Sequence, residues 1–143
     1  EGKRYGNINF LPFLPQNTQV NDFLNAIDID LGGMSGAEGW NLPSFNASCL
    51  GKWSIVLNST SHKDWATDKN SILVEPSGKE PVYDQIFFHK GASFNQGNIY
   101  TFDDDNFIAA MEKAETKCKI NNSEGEKLKE KFTYDNTLNK ILE

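Results

Sequence analysis

Residues 28–58, DIDLGGMSGAEGWNLPSFNASCLGKWSIVLN, constrain the fold more than any other stretch of the chain. They read as a strand broken by Gly32 and Gly33, a glycine-rich turn, a helix, a glycine stop and a second strand. Asn41 is placed to cap the helix, and Pro43 suits its first turn, where a missing N–H costs nothing. Gly51 follows as a helix stop. The second strand, WSIVLN (53–58), carries apolar residues on both faces, which suits a buried position in a parallel sheet. Strand, helix and strand in this order predict a parallel pair joined by a right-handed crossover.

The flanking segments extend the pattern. NINFLPF (7–13) alternates and reads as an earlier strand, and TQVNDFLNAI (18–27) places Val20, Phe23, Leu24 and Ile27 at helical spacing, making a second strand–helix–strand unit. Ser61 with Asp64 is predicted to start a helical turn, and SILVEP (71–76) to form a short strand. Residues 79–100 form a hairpin-like excursion with the aromatics Tyr83, Phe87, Phe88, Phe94 and Tyr100. Those rings either pack beneath the excursion or offer flat faces to a sugar. From Asp103 the pattern is helical. Thr101 with Asp104 resembles a capping box, ahead of a stripe of Phe107, Ile108, Met111 and Ala114. Ser123 with Glu126 makes a second box, and Thr133 caps a last helix, YDNTLNKILE (134–143). The lysines at 113–131 read as a solvated helix face. The fold class is α/β, strands early and helices late, in one domain over 1–143.

Charge and cysteine content narrow the function classes. A net charge of -6 argues against a nucleic-acid partner, whose binding depends on neutralising phosphates. No run of about 18 apolar residues is present, so no membrane span is expected. The start, EGKRYGNINF, has no signal-peptide core and no initiator methionine, so a cytoplasmic location and a piece of a longer chain are expected. Cys49 and Cys118 have no metal-ligand spacing and read as two buried, reduced thiols. The Asn-x-Ser/Thr sites at Asn46, Asn58 and Asn121 carry no meaning without a secretory signal.

In an open parallel sheet, ligands bind beyond the carboxyl ends of the strands. Residues 32–42 and 58–64 fall there. The first loop enters a helix N-terminus, whose free N–H groups and positive dipole end suit a phosphate, with the Leu42 amide as a donor. Glu38 would repel an anion, so it is expected to face a hydroxyl-bearing or cationic group. Asn46, one turn into the helix, is placed to reach the same mouth. An ordinary connector is the competing reading. His62 and Asp64, with His89, also spell the ligand set of a facial-triad iron site. Otherwise His62 and Asp64 belong to a cleft-lining loop or to the surface.

Residues 36–58 resemble the signature of the retaining GT-B glycosyltransferases of family 4, roughly E-G-F-G-L-P-x-x-E-A-x-A-x-G-x-P-V-V. Glu38, Gly39, Leu42, Pro43, Ala47, Gly51 and the Ile55–Val56 pair carry the likeness. INFLPFLPQNTQVNDFLNAIDIDL, NSILVEPSG, FDDDNFIAAMEKA and EKLKEKFTYDNTLNKILE resemble the family's flanking elements, in the family's order. The resemblance implies a Rossmann-like, three-layer parallel sheet, truncated at its N-terminal side, with a C-terminal helical segment. It implies a domain that binds a nucleotide-diphosphate-sugar donor for transfer of a hexose, with retention, to a glycan or other hydroxyl acceptor, with no metal or other cofactor. Glu38 takes the catalytic place near the donor sugar and diphosphate, and Gly36, Gly39, Asn41, Leu42, Asn46, Ser59 and Thr60 form the donor-binding set. The family's second acid, which binds the ribose, corresponds to Asn46, so an amide stands where a carboxylate is usual. The family's basic pair and its N-terminal acceptor domain lie outside these residues. The chain on its own is therefore expected not to catalyse transfer. A non-catalytic binding or assembly module derived from GT-B, or an unrelated α/β enzyme, are the alternatives. A truncated sheet exposes an edge, which invites a homodimer or domain exchange.

Overall fold

The computed structural model describes residues 6–143. Residues 1–5, on which part of the reading of the N-terminus rests, lie outside that range. In chain order the elements are α1 (Asn17–Ala26), β1 (Ile29–Gly33), α2 (Leu42–Cys49), β2 (Trp53–Leu57), α3 (His62–Trp65) and β3 (Ile72–Val74). They are followed by β4 (Gly78–Pro81), β5 (Asn98–Thr101), α4 (Asp104–Glu115), α5 (Ser123–Glu126), α6 (Leu128–Lys131) and α7 (Tyr134–Leu142). β1, β2 and β3 form a parallel sheet in that order, and β4 and β5 form a separate antiparallel pair.

The sheet is built on β2, all five residues of which are buried. Trp53, Ile55 and Leu57 face one side with Ile72, Val74 and the α4 alanines Ala110 and Ala114. Val56 faces the other side, in a cluster with Trp65, Ala66 and Leu128 that Trp40, Phe45 and Phe132 complete. Period-two alternation therefore divides one strand between two cores, and helices cover both. Among the described residues, no helix is long and apolar enough to cross a membrane.

Several expectations need correction. Residues 7–13 are not a strand: they carry no regular secondary structure, with Phe10 94% and Phe13 87% exposed. Alternation makes a strand only where a neighbour takes its hydrogen bonds, and Pro12 removes a donor. The helix at 18–27 consequently closes no strand–helix–strand unit of its own. Along α4 the core-facing residues are Phe107, Ala110 and Ala114, while Ile108 and Met111 are exposed. Ala114, expected in the stripe, and Ala110, not expected there, let this helix approach β2 and β3 closely. Its cap is Asp103, which accepts from the Asp105 amide, and not Thr101. α5 is capped by Asn122, which accepts from Gly125, and not by Ser123. Asn41 and Thr133 cap α2 and α7 as expected, and Gly51 ends α2's turn with φ 78°. Of the thiols, Cys49 is half-buried and Cys118 exposed.

The excursion over 79–100 is a hairpin whose long loop is held from inside. One carboxylate oxygen of Asp84 accepts from the amides of Ile86, Phe87 and Phe88 at 2.8, 2.8 and 2.9 Å. The Gln96 side chain accepts from the His89 amide. Tyr83, Ile86, Phe87 and Phe94 are exposed on this frame and pack beneath nothing among the described residues.

A buried asparagine ties the helical end to the sheet. Asn122 donates to the carbonyls of Lys52 at 2.9 Å and Asn70 at 2.8 Å, and its own oxygen accepts from Gly125 at 2.9 Å.

Candidate functional site

The carboxyl ends of β1 and β2 lead into residues 34–41 and 58–61, and α3 clamps these two segments together. Ser61 Oγ donates to the Glu38 carbonyl at 3.0 Å, and Trp65 Nε1 donates to the Trp40 carbonyl at 3.0 Å. Between these two anchors, Asn41 Nδ2 lies 3.2 Å from His62 Nε2. Asn41 has the left-handed backbone φ 61°, ψ 67°, which asparagine tolerates better than most residues. Its amide nitrogen also donates to the Gly32 carbonyl at 2.9 Å, while its oxygen accepts from Ser44 N at 3.2 Å. That assignment makes His62 Nε2 an acceptor, so Nδ1 carries the proton and donates to the Leu57 carbonyl at 2.8 Å. Burial pushes the imidazole pKa below its ordinary 6.5, against the opposing pull of the Leu57 carbonyl and the Glu38 carboxylate.

The N-terminus of α2 is already largely satisfied by the protein. Pro43 has no N–H, the Ser44 amide goes to Asn41, and the Phe45 amide goes to the Asn41 carbonyl. The Asp30 carboxylate accepts from Ser44 Oγ at 2.6 Å and from Gly32 N at 3.2 Å, so an acid from β1 sits against the first turn. Leu42 keeps the first-turn amide that has no partner among the described residues.

The end of β2 carries the opposite condition, polar groups without partners. Ser59 is fully buried and Thr60 Oγ1 is shielded from solvent, yet neither hydroxyl makes a hydrogen bond among the described residues. Thr60 also has φ 48°, a conformation that a β-branched residue adopts only under constraint. Buried hydroxyls are nearly always paired, and strained backbone concentrates at ligand-binding turns. This turn is therefore the strained and least satisfied point of the sheet edge among the described residues.

The sequence-predicted residues fall in four places. Glu38, Asn41, Ser59 and Thr60 gather at the corner clamped by α3. Leu42 and Asn46 open instead onto a groove of about 630 Å³ between α1 and α2, with Val20, Leu24, Cys49 and Lys129. Burial in its wall pushes the Cys49 thiol up to about 11. Gly36 docks the hairpin: its carbonyl accepts from Tyr100 N at 3.1 Å, and a Cβ there would stand 1.9 Å from the Tyr100 carbonyl oxygen. Gly39 borders open space. Lys79 lies 4.3 Å from the Tyr100 ring centre; its hydrogen bond and charge, with a smaller contribution from Lys63, hold that phenol below its ordinary value.

His62 is neither surface nor iron ligand, because it is fully buried with both ring nitrogens engaged. Among the described residues no group of three His, Cys, Asp or Glu is placed to hold a metal ion. The sequence reading missed the clamp. Its signal was the His62–Trp65 spacing, one turn apart on a helix and both buried. A scan against protein-family models finds no match for this chain, and a search of curated proteins finds none either.

Proposed function

We propose that the chain is the donor-binding domain of a retaining GT-B glycosyltransferase with a Rossmann-like fold, and that it holds a nucleoside-diphosphate sugar at the carboxyl edge of its sheet. The observation that carries this reading is the pair of buried, unpartnered hydroxyls of Ser59 and Thr60, in a strained turn beside the Glu38 loop. Both hydroxyls are closed to solvent, so in this reading a polyhydroxylated or phosphorylated ligand partners them as the turn opens to receive it. In this reading the Glu38 carboxylate meets sugar hydroxyls or the positive charge developing at the transferred sugar. The Leu42 amide meets a phosphate oxygen and Asn46 offers its amide to the ribose where the donor extends from the corner into the α1–α2 groove, onto which both residues open. Residues of a partner domain supply the acceptor and the remaining cations.

A second reading, a binding or assembly module without turnover, draws support from two features. The first turn of α2 spends most of its donor capacity on Asn41 and Asp30, and Asn46 stands where the resembling family has an acid. Melting curves with and without a nucleoside diphosphate or its sugar test the donor reading. The expected outcome is a rise in melting temperature that Glu38→Ala or a bulky residue at Asn46 abolishes. Ser59→Ala should weaken the rise while leaving the unliganded protein as stable as before, since the lost hydroxyl has no partner. No shift with any nucleoside diphosphate, for a protein whose full-length form transfers sugar, overturns the assignment of this edge.

A further inference from the structure

We propose that the His62–Asn41 pair is an acid-released latch on the Asn41 end of residues 34–41: charging the buried ring removes the acceptor that holds Asn41, and so loosens the cap of α2 and leaves the loop bearing Glu38 to its Ser61, Trp65 and Tyr100 hydrogen bonds alone. The argument is one of donor and acceptor count. Asn41 spends its two amide protons on the Gly32 carbonyl and His62 Nε2, and its oxygen on Ser44 N. A proton on Nε2 would set two donors face to face across 3.2 Å. Turning the Asn41 amide over does not relieve this. It would point the oxygen at the Gly32 carbonyl and the nitrogen at the Ser44 amide, breaking two bonds to make one. His62 Nδ1 is already committed to Leu57, and the ring, fully buried and perpendicular to the Trp65 ring, has no solvent to turn to.

The groups around the ring are few. Glu38 from the loop favours the charged form, and the Leu57 carbonyl at the end of β2 does the same, but burial outweighs both. Its neighbours on α3, Lys63 and Asp64, are exposed. Asp30 from β1 reaches the same cap through Ser44. The sign follows. The unfolded chain takes up this proton near the ordinary histidine value, and the folded chain only at lower pH. Across that interval the unfolded state holds more protons, so acidification destabilises the latched form and alkalinisation restores it. The latch goes beyond the donor reading and holds whatever ligand the corner serves.

The test follows the Ser44 amide, the direct reporter of the Asn41 cap. Hydrogen-exchange protection of Ser44, corrected for the intrinsic pH dependence of exchange, is followed from neutral to mildly acidic pH in the wild type and in His62→Gln, with Ile55, in the centre of β2, reporting global unfolding. At neutral pH Ser44 is expected to be less protected than Ile55, because it opens with the loop alone. In the wild type its protection is expected to fall, tending to about tenfold per pH unit below the ordinary histidine value. In His62→Gln, whose side-chain oxygen still accepts from Asn41 but takes up no proton, its protection is expected to stay flat. Ser44 protection equal to that of Ile55, a flat wild-type profile, or an equal fall in the variant overturns the proposal. Should the variant fail to fold, nitrogen-15 titration of a His89→Gln background decides it. His62 charging and the shift of the Asn41 side-chain amide must then share one midpoint. Ring charging that leaves the Asn41 amide unmoved refutes the latch.

Discussion

Asn122→Ala is the sharpest probe of how the helical end of the chain is held to the sheet. The side chain is 1% exposed and makes three hydrogen bonds, two donated to the Lys52 and Asn70 carbonyls and one accepted from Gly125. Each net bond is worth about 1 kcal/mol, and each buried partner left unsatisfied costs about 1–3 kcal/mol. Water reaching one of the three stranded groups reduces the total, so about 4 kcal/mol is expected for the alanine variant. At roughly 4 °C per kcal/mol for a domain of this size, the melting temperature should fall by about 15 °C. Asn122→Asp separates the donors from the cap. Its carboxylate still accepts from Gly125 but turns a negative oxygen toward two carbonyls that had received protons. At neutral pH it should match or exceed the loss of the alanine variant. The carboxyl is then more easily protonated in the folded than in the unfolded chain, so acidification should recover stability in this variant alone. Calorimetry or circular-dichroism melting at neutral and mildly acidic pH reads both effects. A fall of less than about 3 °C for Asn122→Ala would show that the three bonds are replaced by water at little cost. An aspartate variant with no recovery in acid would show that the two carbonyls do not face the side chain.

Two further outcomes follow from the geometry. Gly36→Ala forces a Cβ into the Tyr100 carbonyl, where only backbone can yield, so a loss of about 1–3 kcal/mol is expected, with Gly39→Ala, in open space, within about 0.5 kcal/mol of wild type. Equal melting temperatures for the two variants would refute the docking role of Gly36. Iodoacetamide at pH 8 should modify exposed Cys118 well before Cys49, whose thiol, pushed up to about 11, is ionised in only about one molecule in a thousand. Peptide mapping that finds Cys49 labelled first contradicts its burial against the α1–α2 groove.

What could be read from the sequence was local and periodic. The span from Ile29 to Leu57 was legible because each boundary has its own chemistry: Asn41 at the cap, Pro43 in the first turn, Gly51 at the stop. The β2 strand was legible because apolar residues at both parities require two covered faces. Long-range satisfaction was not legible. Nothing in the string NNSE distinguishes Asn122 from the exposed Asn121 beside it, and only the fold brings Lys52 and Asn70 within reach. His62 was hidden for the same reason, since its partner Asn41 lies 21 residues away. Residues 7–13 failed in the other direction, because alternation records a side-chain pattern and says nothing about whether a neighbouring strand exists. At the candidate site, the sequence placed Glu38, Ser59 and Thr60 in the loops that follow two parallel strands, and they lie after β1 and β2. That both hydroxyls would be left without partners emerged only in three dimensions.

The Asp84 carboxylate, gathering three consecutive amides, has a consequence for the rings it carries. Phe87 and Ile86 belong to a turn whose shape is set within five residues and owes little to the sheet beneath it. The entropy of arranging the backbone that carries those side chains is spent during folding, so any surface that meets them gains contact without first having to order the loop. The three amides, that of Phe88 foremost, hold the carboxyl below its usual range. The arrangement is therefore complete above the ordinary aspartate value and is lost only as pH falls through the lowered one. Changes at Phe87 would alter what the loop touches and leave its shape alone. A change at Asp84 would keep every ring and dissolve their common geometry.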